Sequence, residues 1–195
     1  MKEAKKQERH TQIAECAYAV LKESGYAGAS LLNIAKAAKA SNETLYRWYG
    51  GKVGLFEILV QDNAAETRQR LETAIASNAN PIETLEAIAP VLLSMVLGER
   101  AVLLNRAAAA DPSGDLGRAI AQNGREVIAP LIGRVVSQFS KDTEHDPADV
   151  AETFVGLLIG DQQIRRVIGV IPEPNSDYIE RRADIAVKQI VQLYN

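Results

Sequence analysis

The stretch Ser41-Asn42-Glu43-Thr44-Leu45-Tyr46-Arg47-Trp48-Tyr49-Gly50-Gly51 decides how this chain is read. Ser41 suits the start of a helix, because its hydroxyl accepts a hydrogen bond from a backbone N–H left free in the first turn. Gly50-Gly51 is a stop. Between them lie about two turns with one aliphatic residue, Leu45, and polar groups on most other sides. Working back, Ser30 is a second cap, and Leu31, Ile34, Ala35 and Ala38 form the apolar side of another short helix. Two short helices joined by a tight turn, the second polar-faced, describe a helix-turn-helix. Ile34, Ala35, Ala38 and Leu45 supply the contact between them, which leaves Asn42, Glu43, Thr44 and Arg47 to face outward. Asn and Arg match the edges of adenine and guanine in the major groove, and Thr packs on a thymine methyl.

Helical periodicity continues on both sides, and no segment alternates as a strand. A first helix is expected from about Glu8 to Ser24, with Ile13, Ala17, Val20 and Leu21 on one face and Gly25 as its stop. A long helix starts near Lys52 and carries Leu55, Phe56, Leu59, Val60, Leu71 and Ile75. Asn80-Pro81 opens a helix to Leu97 that is apolar on most sides, and Gly98 ends it. Another runs from Arg100 to Ala110, and a longer one from Leu116 to Phe139, where Pro130 should introduce a kink. A polar loop follows over 140–144. Asp146-Pro147 starts a helix expected to reach Gly169, and the last runs from Ser176 to Tyr194. The expectation is an all-α protein of about nine helices. It has an N-terminal three-helix helix-turn-helix domain, residues 1–53, and a C-terminal helical domain, residues 54–195.

The chain has 195 residues, 47% of them hydrophobic, enough for a substantial core. Net charge is −3, but residues 1–60 hold nine Lys and Arg against six Asp and Glu, a balance of +3, and the remainder is at −6. One basic end on an acidic body suits a protein that meets phosphates with that end alone. The lone Cys16 forms no internal disulfide, the start is charged rather than apolar, and no run approaches the roughly 18 apolar residues of a membrane span. The expectation is a cytoplasmic protein with no membrane partner.

The run Gly25-Tyr26, Ala29 to Ala38 and Ser41 to Phe56 resembles the DNA-binding domain of tetracycline-repressor (TetR/AcrR) family regulators. The most telling part is Thr44-Leu45-Tyr46-Arg47-Trp48-Tyr49 followed by Lys52 and Leu55-Phe56. The resemblance implies that the partner is double-stranded operator DNA. Ser30 and Ser41 would cap their helices, with the Ser30 hydroxyl on a phosphate. Tyr46 would set its phenol on the backbone, and Lys52 would bind phosphate beside the positive end of its helix. Asn42, Glu43, Thr44 and Arg47 would face the bases, with Glu43 either accepting from a cytosine amino group or repelling nonspecific DNA. Trp48 or Tyr49 is read as structural, and Arg47 has a neighbouring helix or solvent as alternatives. Lys2, Lys5, Lys6 and Arg9 are read as a solvated arm that adds salt-sensitive affinity. Lys39 stands in the turn where the family often has Gly. A left-handed conformation there costs on the order of 1 kcal/mol. Leu32 replaces a residue often polar or basic in the family, and Gly51 a common Ser cap.

For the rest of the chain the resemblance implies an all-helical domain that dimerises and encloses a ligand pocket. Phe154, Leu157, Leu158 and Asp161 on one helix, with Ala183, Ala186, Val187 and Ile190 on the last, are the expected homodimer interface. Gly156 and Gly160 would permit close approach, and the alternative is that these stripes pack within one chain. The expected effector pocket involves Val91, Met95, Leu104, Asn105, Gln122, Asn123 and Val127, for an unknown, largely apolar small molecule. A constitutive DNA-binding regulator without effector is the alternative. An enzyme is not expected. His10 and His145 are too far apart for a local paired-His zinc motif, no Gly-rich phosphate loop or nucleophile-elbow Ser is present, and no metal or cofactor is implied.

Overall fold

The computed structural model describes residues 2–138 and 145–194. All regular structure among them is helical: α1 (Lys2–Gly28), α2 (Leu31–Ala37), α3 (Asn42–Tyr49), α4 (Lys52–Ala76), α5 (Pro81–Leu97), α6 (Glu99–Ala109), α7 (Asp115–Ile120), a π-helical turn (Ala121–Arg125), α8 (Glu126–Val136), α9 (Pro147–Ile159), α10 (Gln162–Val167) and α11 (Ser176–Tyr194). The expected caps are present. Ser30, Ser41, Asn80 and Asp146 each accept a backbone N–H of the first turn through the side chain. Gly25 leaves helical geometry at φ 62, the expected stop.

Three expectations need correction. The basic arm is helical: α1 starts at Lys2, because Lys, Glu, Ala and Gln all favour helix. The helix expected to run from Leu116 is interrupted over Ala121–Arg125, ahead of Pro130. The weak helix formers Asn123 and Gly124 sit there, and the Asn123 amide is drawn into hydrogen bonds with the Ala119 carbonyl (3.0 Å) and Gln61 of α4 (2.7 Å). The helix expected to reach Gly169 breaks at Gly160 (φ 53), where Arg182 from α11 donates to the Leu158 carbonyl at 3.0 Å. These breaks raise the number of α-helices among the described residues to eleven. Phe139 and the loop over 140–144 lie outside the described residues.

Two apolar cores are threaded by α4. The N-terminal core joins Ile13, Ala17 and Leu21 of α1, Leu31, Ile34 and Ala38 of the α2 region, Leu45 of α3, and Leu55, Phe56 and Leu59 of α4. It also takes Leu103, Leu104 and Ala107 of α6 and Leu116 of α7, so the second half of the chain props up the first. The C-terminal core sets α11 across α5 and α9, with Leu85, Leu93, Ile132, Val136, Phe154 and Ile190 fully enclosed. Each such side chain contributes roughly 1.5–3 kcal/mol by leaving water.

This packing corrects the expected dimer surface. Phe154, Leu158, Ala183, Ala186, Val187 and Ile190 are at most 4% exposed within a single chain. The stripe is consumed in seating α11 on α5 and α9. Asp161 lies past the break at Gly160, exposed at the start of α10. Leu157 alone of the set keeps a half-buried position on the flank of α9. On α11 the apolar residues left facing outward are Ile185 (41% exposed) and Leu193 (60%).

Candidate nucleic-acid interface and internal cavity

Helix α3 is docked by one edge. Leu45 is its one buried residue; Glu43, Tyr46 and Arg47 are exposed, and Asn42 and Thr44 are half-buried. The Ser41 hydroxyl accepts the Thr44 N–H at 3.1 Å and lies 2.8 Å from the Thr44 hydroxyl, so these two groups hold the first turn together. Tyr46 stands out at 54% exposed, with its phenol free for a partner. Ahead of α3, Lys39 adopts φ 50, the left-handed turn expected of it. Arg9 of α1 donates to the Lys39 carbonyl at 2.8 Å and pins that turn, so this member of the basic arm is structural. Leu32 is half exposed on α2, as an apolar substitute at a surface position.

Two expected contacts look different in the structure. The Asn42 amide oxygen is buried and has no hydrogen-bond partner, so only part of that amide is available to a base edge. A bidentate contact to adenine needs the oxygen as well as the amino group. The Lys52 ammonium is already engaged: it donates to the Tyr26 carbonyl at 2.7 Å and lies 3.4 Å above the centre of the Tyr26 ring. Burial lowers its pKa, and Asp111 opposes that shift. Lys52 therefore first locks the start of α4 to the end of α1, and only its remaining N–H groups can meet a phosphate. Gly51 offers no side-chain cap, which leaves the first amides of α4 as further donors.

The end of α3 is fitted tightly to the start of α4. Gly50 closes α3 in the left-handed region at φ 71. A Cβ on Gly54 would stand 1.9 Å from the Tyr49 carbonyl oxygen, so only glycine lets α4 approach this closely. Tyr49 then turns back to α1, with its hydroxyl 2.8 Å from His10 Nδ1. Burial, reinforced by Asp62, pushes the Tyr49 phenol up to about 12, so it stays protonated.

Asp111, in the bend between α6 and α7, ties the second half of the chain to this head. It accepts the Tyr26 hydroxyl at 3.0 Å, the Leu116 N–H at 3.0 Å and the Ser113 hydroxyl at 2.8 Å. The Leu116 amide above all, then the Ser113 and Tyr26 hydroxyls, lower its pKa from 3.8 to about 2.

Behind the head, α4, α5, α6, α7, α8 and α9 enclose a cavity of about 1070 Å³. Its walls are mostly aliphatic, with Asn63 and Asn105 as polar groups within and Arg125, Glu126, Arg134 and Glu152 at the exposed rim. Of the expected pocket residues, Met95, Leu104 and Asn105 line it. Val91 does not; it borders a second space of about 520 Å³ between α4, α5 and α11. Gln122 points to solvent, Asn123 is spent on Gln61 and Ala119, and Val127 faces away from the lining. The displaced π turn rotates these three off the wall. Ala129, Gly133, Ala151 and Val155 of α8 and α9 take their place. The sequence signal for them is small: short side chains at helical spacing, which also describes close packing.

Residues 13–59 match the sequence profile of the tetR family of bacterial regulatory proteins. The match takes in most of α1, all of α2 and α3 and the start of α4, so this N-terminal segment is similar to a tetR-type domain. Solved structures carry the likeness over nearly the whole fold. A TetR transcriptional regulator of Agrobacterium tumefaciens has 23% identity and a TM-score of 0.73, covering 95% of this chain and 94% of that one. The Bacillus subtilis transcriptional regulator FadR in complex with stearoyl-CoA has 15% identity and a TM-score of 0.73, covering 93% and 97%. The Thermus thermophilus FadR repressor in complex with lauroyl-CoA has 15% identity and a TM-score of 0.61, covering 93% of each. At these identities the likeness is one of fold. No curated relative matches the chain. The matched segment is that of bacterial regulatory proteins. No single helix among the described residues is long and apolar enough to cross a membrane.

Proposed function

We propose that this chain is a dimeric, cytoplasmic repressor of the tetR type that reads a palindromic operator with α3 and lets go when a small, largely apolar molecule enters the 1070 Å³ cavity. One observation carries the reading: an exposed, capped helix and an apolar cavity are joined by a single helix. Helix α4 begins beside α3 and contributes Val60, Asn63 and Ala64 to the cavity wall. A ligand that moves α4 moves the head. That acyl-CoA thioesters occupy the two FadR proteins supports a long apolar ligand here.

In this reading residues 1–53 read DNA and residues 54–195 respond to ligand and dimerise. Ser30, Ser41, Tyr46 and Lys52 set the head on phosphates, while Thr44, Arg47, Glu43 and the exposed part of Asn42 meet the bases. Dimerisation uses the outer faces of α9 and α11 through Leu157, Ile185 and Leu193 rather than the buried stripe, and forms a four-helix bundle. The chain is not an enzyme in this account.

Tyr46→Ala and Arg47→Ala separate the roles. Tyr46→Ala should weaken binding to a selected operator and to random duplex alike. Arg47→Ala should lower the preference for the operator by about 1–3 kcal/mol at one base pair. Two variants that bind every duplex as the parent does would remove α3 as the reading helix.

A further inference from the structure

His10 falls on α1 three residues before Ile13, at the edge of the buried stripe Ile13, Ala17 and Leu21. Its imidazole reaches two other helices at once. Nδ1 lies 2.8 Å from the Tyr49 hydroxyl at the end of α3, and Nε2 lies 2.6 Å from an Asp62 carboxylate oxygen on α4. The side chain of His10 is only 14% exposed, so water competes weakly for the bond to Tyr49, whereas the Asp62 carboxylate, 45% exposed, stays open to solvent. Its ring also tilts against the Tyr49 ring, with centroids 5.8 Å apart.

We propose that His10 is a positioning residue for DNA reading: it locks the end of the recognition helix to α4 through Tyr49 and Asp62, so that a displacement of α4 is passed to α3. The two ring nitrogens suit the two partners, with Nε2–H donating to Asp62 and Nδ1 accepting from the Tyr49 hydroxyl. Leu45 anchors one side of α3, with Trp48 and Tyr49 packed half-buried against the same core. The Tyr49–His10 bond adds a polar tie at the end of α3 opposite the Ser41 cap. Asp62 is also where the head meets the ligand-responsive half. It borders the second space, and its neighbour Asn63 borders both that space and the large cavity. The inference rests on α3 being the DNA-reading helix.

The test uses the full-length protein, His10→Phe, Tyr49→Phe and the double variant, with duplexes selected by the parent from a random pool. Tyr49→Phe removes only a hydroxyl, so folding is preserved. Trp48, the chain's single Trp, sits on α3 beside Tyr49, with ring centroids 6.3 Å apart. Its acrylamide quenching reports the placement of α3 without DNA. Each single variant should lose roughly tenfold in affinity for the selected duplex while random-duplex affinity holds within about twofold, and the double variant should lose no more than His10→Phe alone. Trp48 should become more quenchable in all three, and Asp62→Asn, which keeps an acceptor, should fall between parent and His10→Phe. Unchanged quenching, equal losses on both kinds of duplex, or additive losses in the double variant would overturn the lock. A parent that selects no sequence would instead overturn the DNA reading, and the quenching series would still decide the lock.

Discussion

Leu45→Ala isolates what holds the recognition helix in place. Leu45 is fully buried and is the one buried residue of the eight in α3. It shares its core with Ile34, Ala35 and Ala38, and two of those are already alanines that cannot expand into a void. Truncating a buried leucine costs about 2.7–5 kcal/mol, and a short helix at the surface resettles enough to favour the lower half of that range. About 3 kcal/mol at 1.4 kcal/mol per factor of ten corresponds to a roughly 100-fold shift toward an undocked α3. Native-state hydrogen exchange reads this directly. The amides of residues 45–49 should exchange about 100-fold faster, while those of α5 and α11, whose contacts belong to the other core, keep their rates. Acceleration below about threefold in α3, or equal acceleration in α3 and α11, would refute the view that Leu45 is a local anchor.

Other consequences follow from the same geometry. Because Asp111 titrates at about 2 when folded against 3.8 ordinarily, its ionised form stabilises the fold above about pH 4, and that contribution is lost as pH falls from about 4 to about 2. Asp111→Asn should flatten the dependence of urea midpoints on pH in that window, and identical slopes would contradict the assignment. Ile185→Glu and Leu193→Glu should yield folded monomers by light scattering, whereas Ala186→Glu, at 0% exposure, should yield unfolded protein. Folded dimers from the first two would place the interface elsewhere. Val155→Trp should crowd one wall of the large cavity and reduce uptake of a fluorescent apolar probe such as N-phenylnaphthylamine, with operator affinity retained. Undiminished uptake would mean that the probe binds another surface.

The helix-turn-helix was legible because local rules fix it. Ser30 and Ser41 cap within three residues, Gly50 stops a helix by its own conformation, and Leu45 is marked by contrast with its polar neighbours. Lys39 in a left-handed turn was readable through the resemblance, which sets it where Gly is frequent. What the sequence concealed depends on distant partners. The periodic stripe of Ala183, Ala186, Val187 and Ile190 shows that α11 is covered on one side, but not whether the cover is α5 and α9 of the same chain or another copy. His10 has no local partner in the sequence, and its role shows only once α3 and α4 are brought beside it, although its spacing from Ile13 was a usable hint. The cavity wall shifted because a π turn adds a residue to one turn and rotates everything near it, which moved Gln122, Asn123 and Val127 out of register. Lys52 keeps its expected place but not its expected freedom, since the Tyr26 carbonyl and ring claim its ammonium.

The central claim is that α3 reads sequence. The most direct measurement is fluorescence anisotropy of the full-length protein on a duplex it selects from a random pool, against a scrambled duplex, across a salt series. The account predicts one near-palindromic site bound about 1,000-fold or more tighter than the scrambled duplex. Affinity should fall with salt by a log–log slope of about −0.9 for each phosphate contacted. Equal, weak binding to both duplexes at every salt concentration would contradict it.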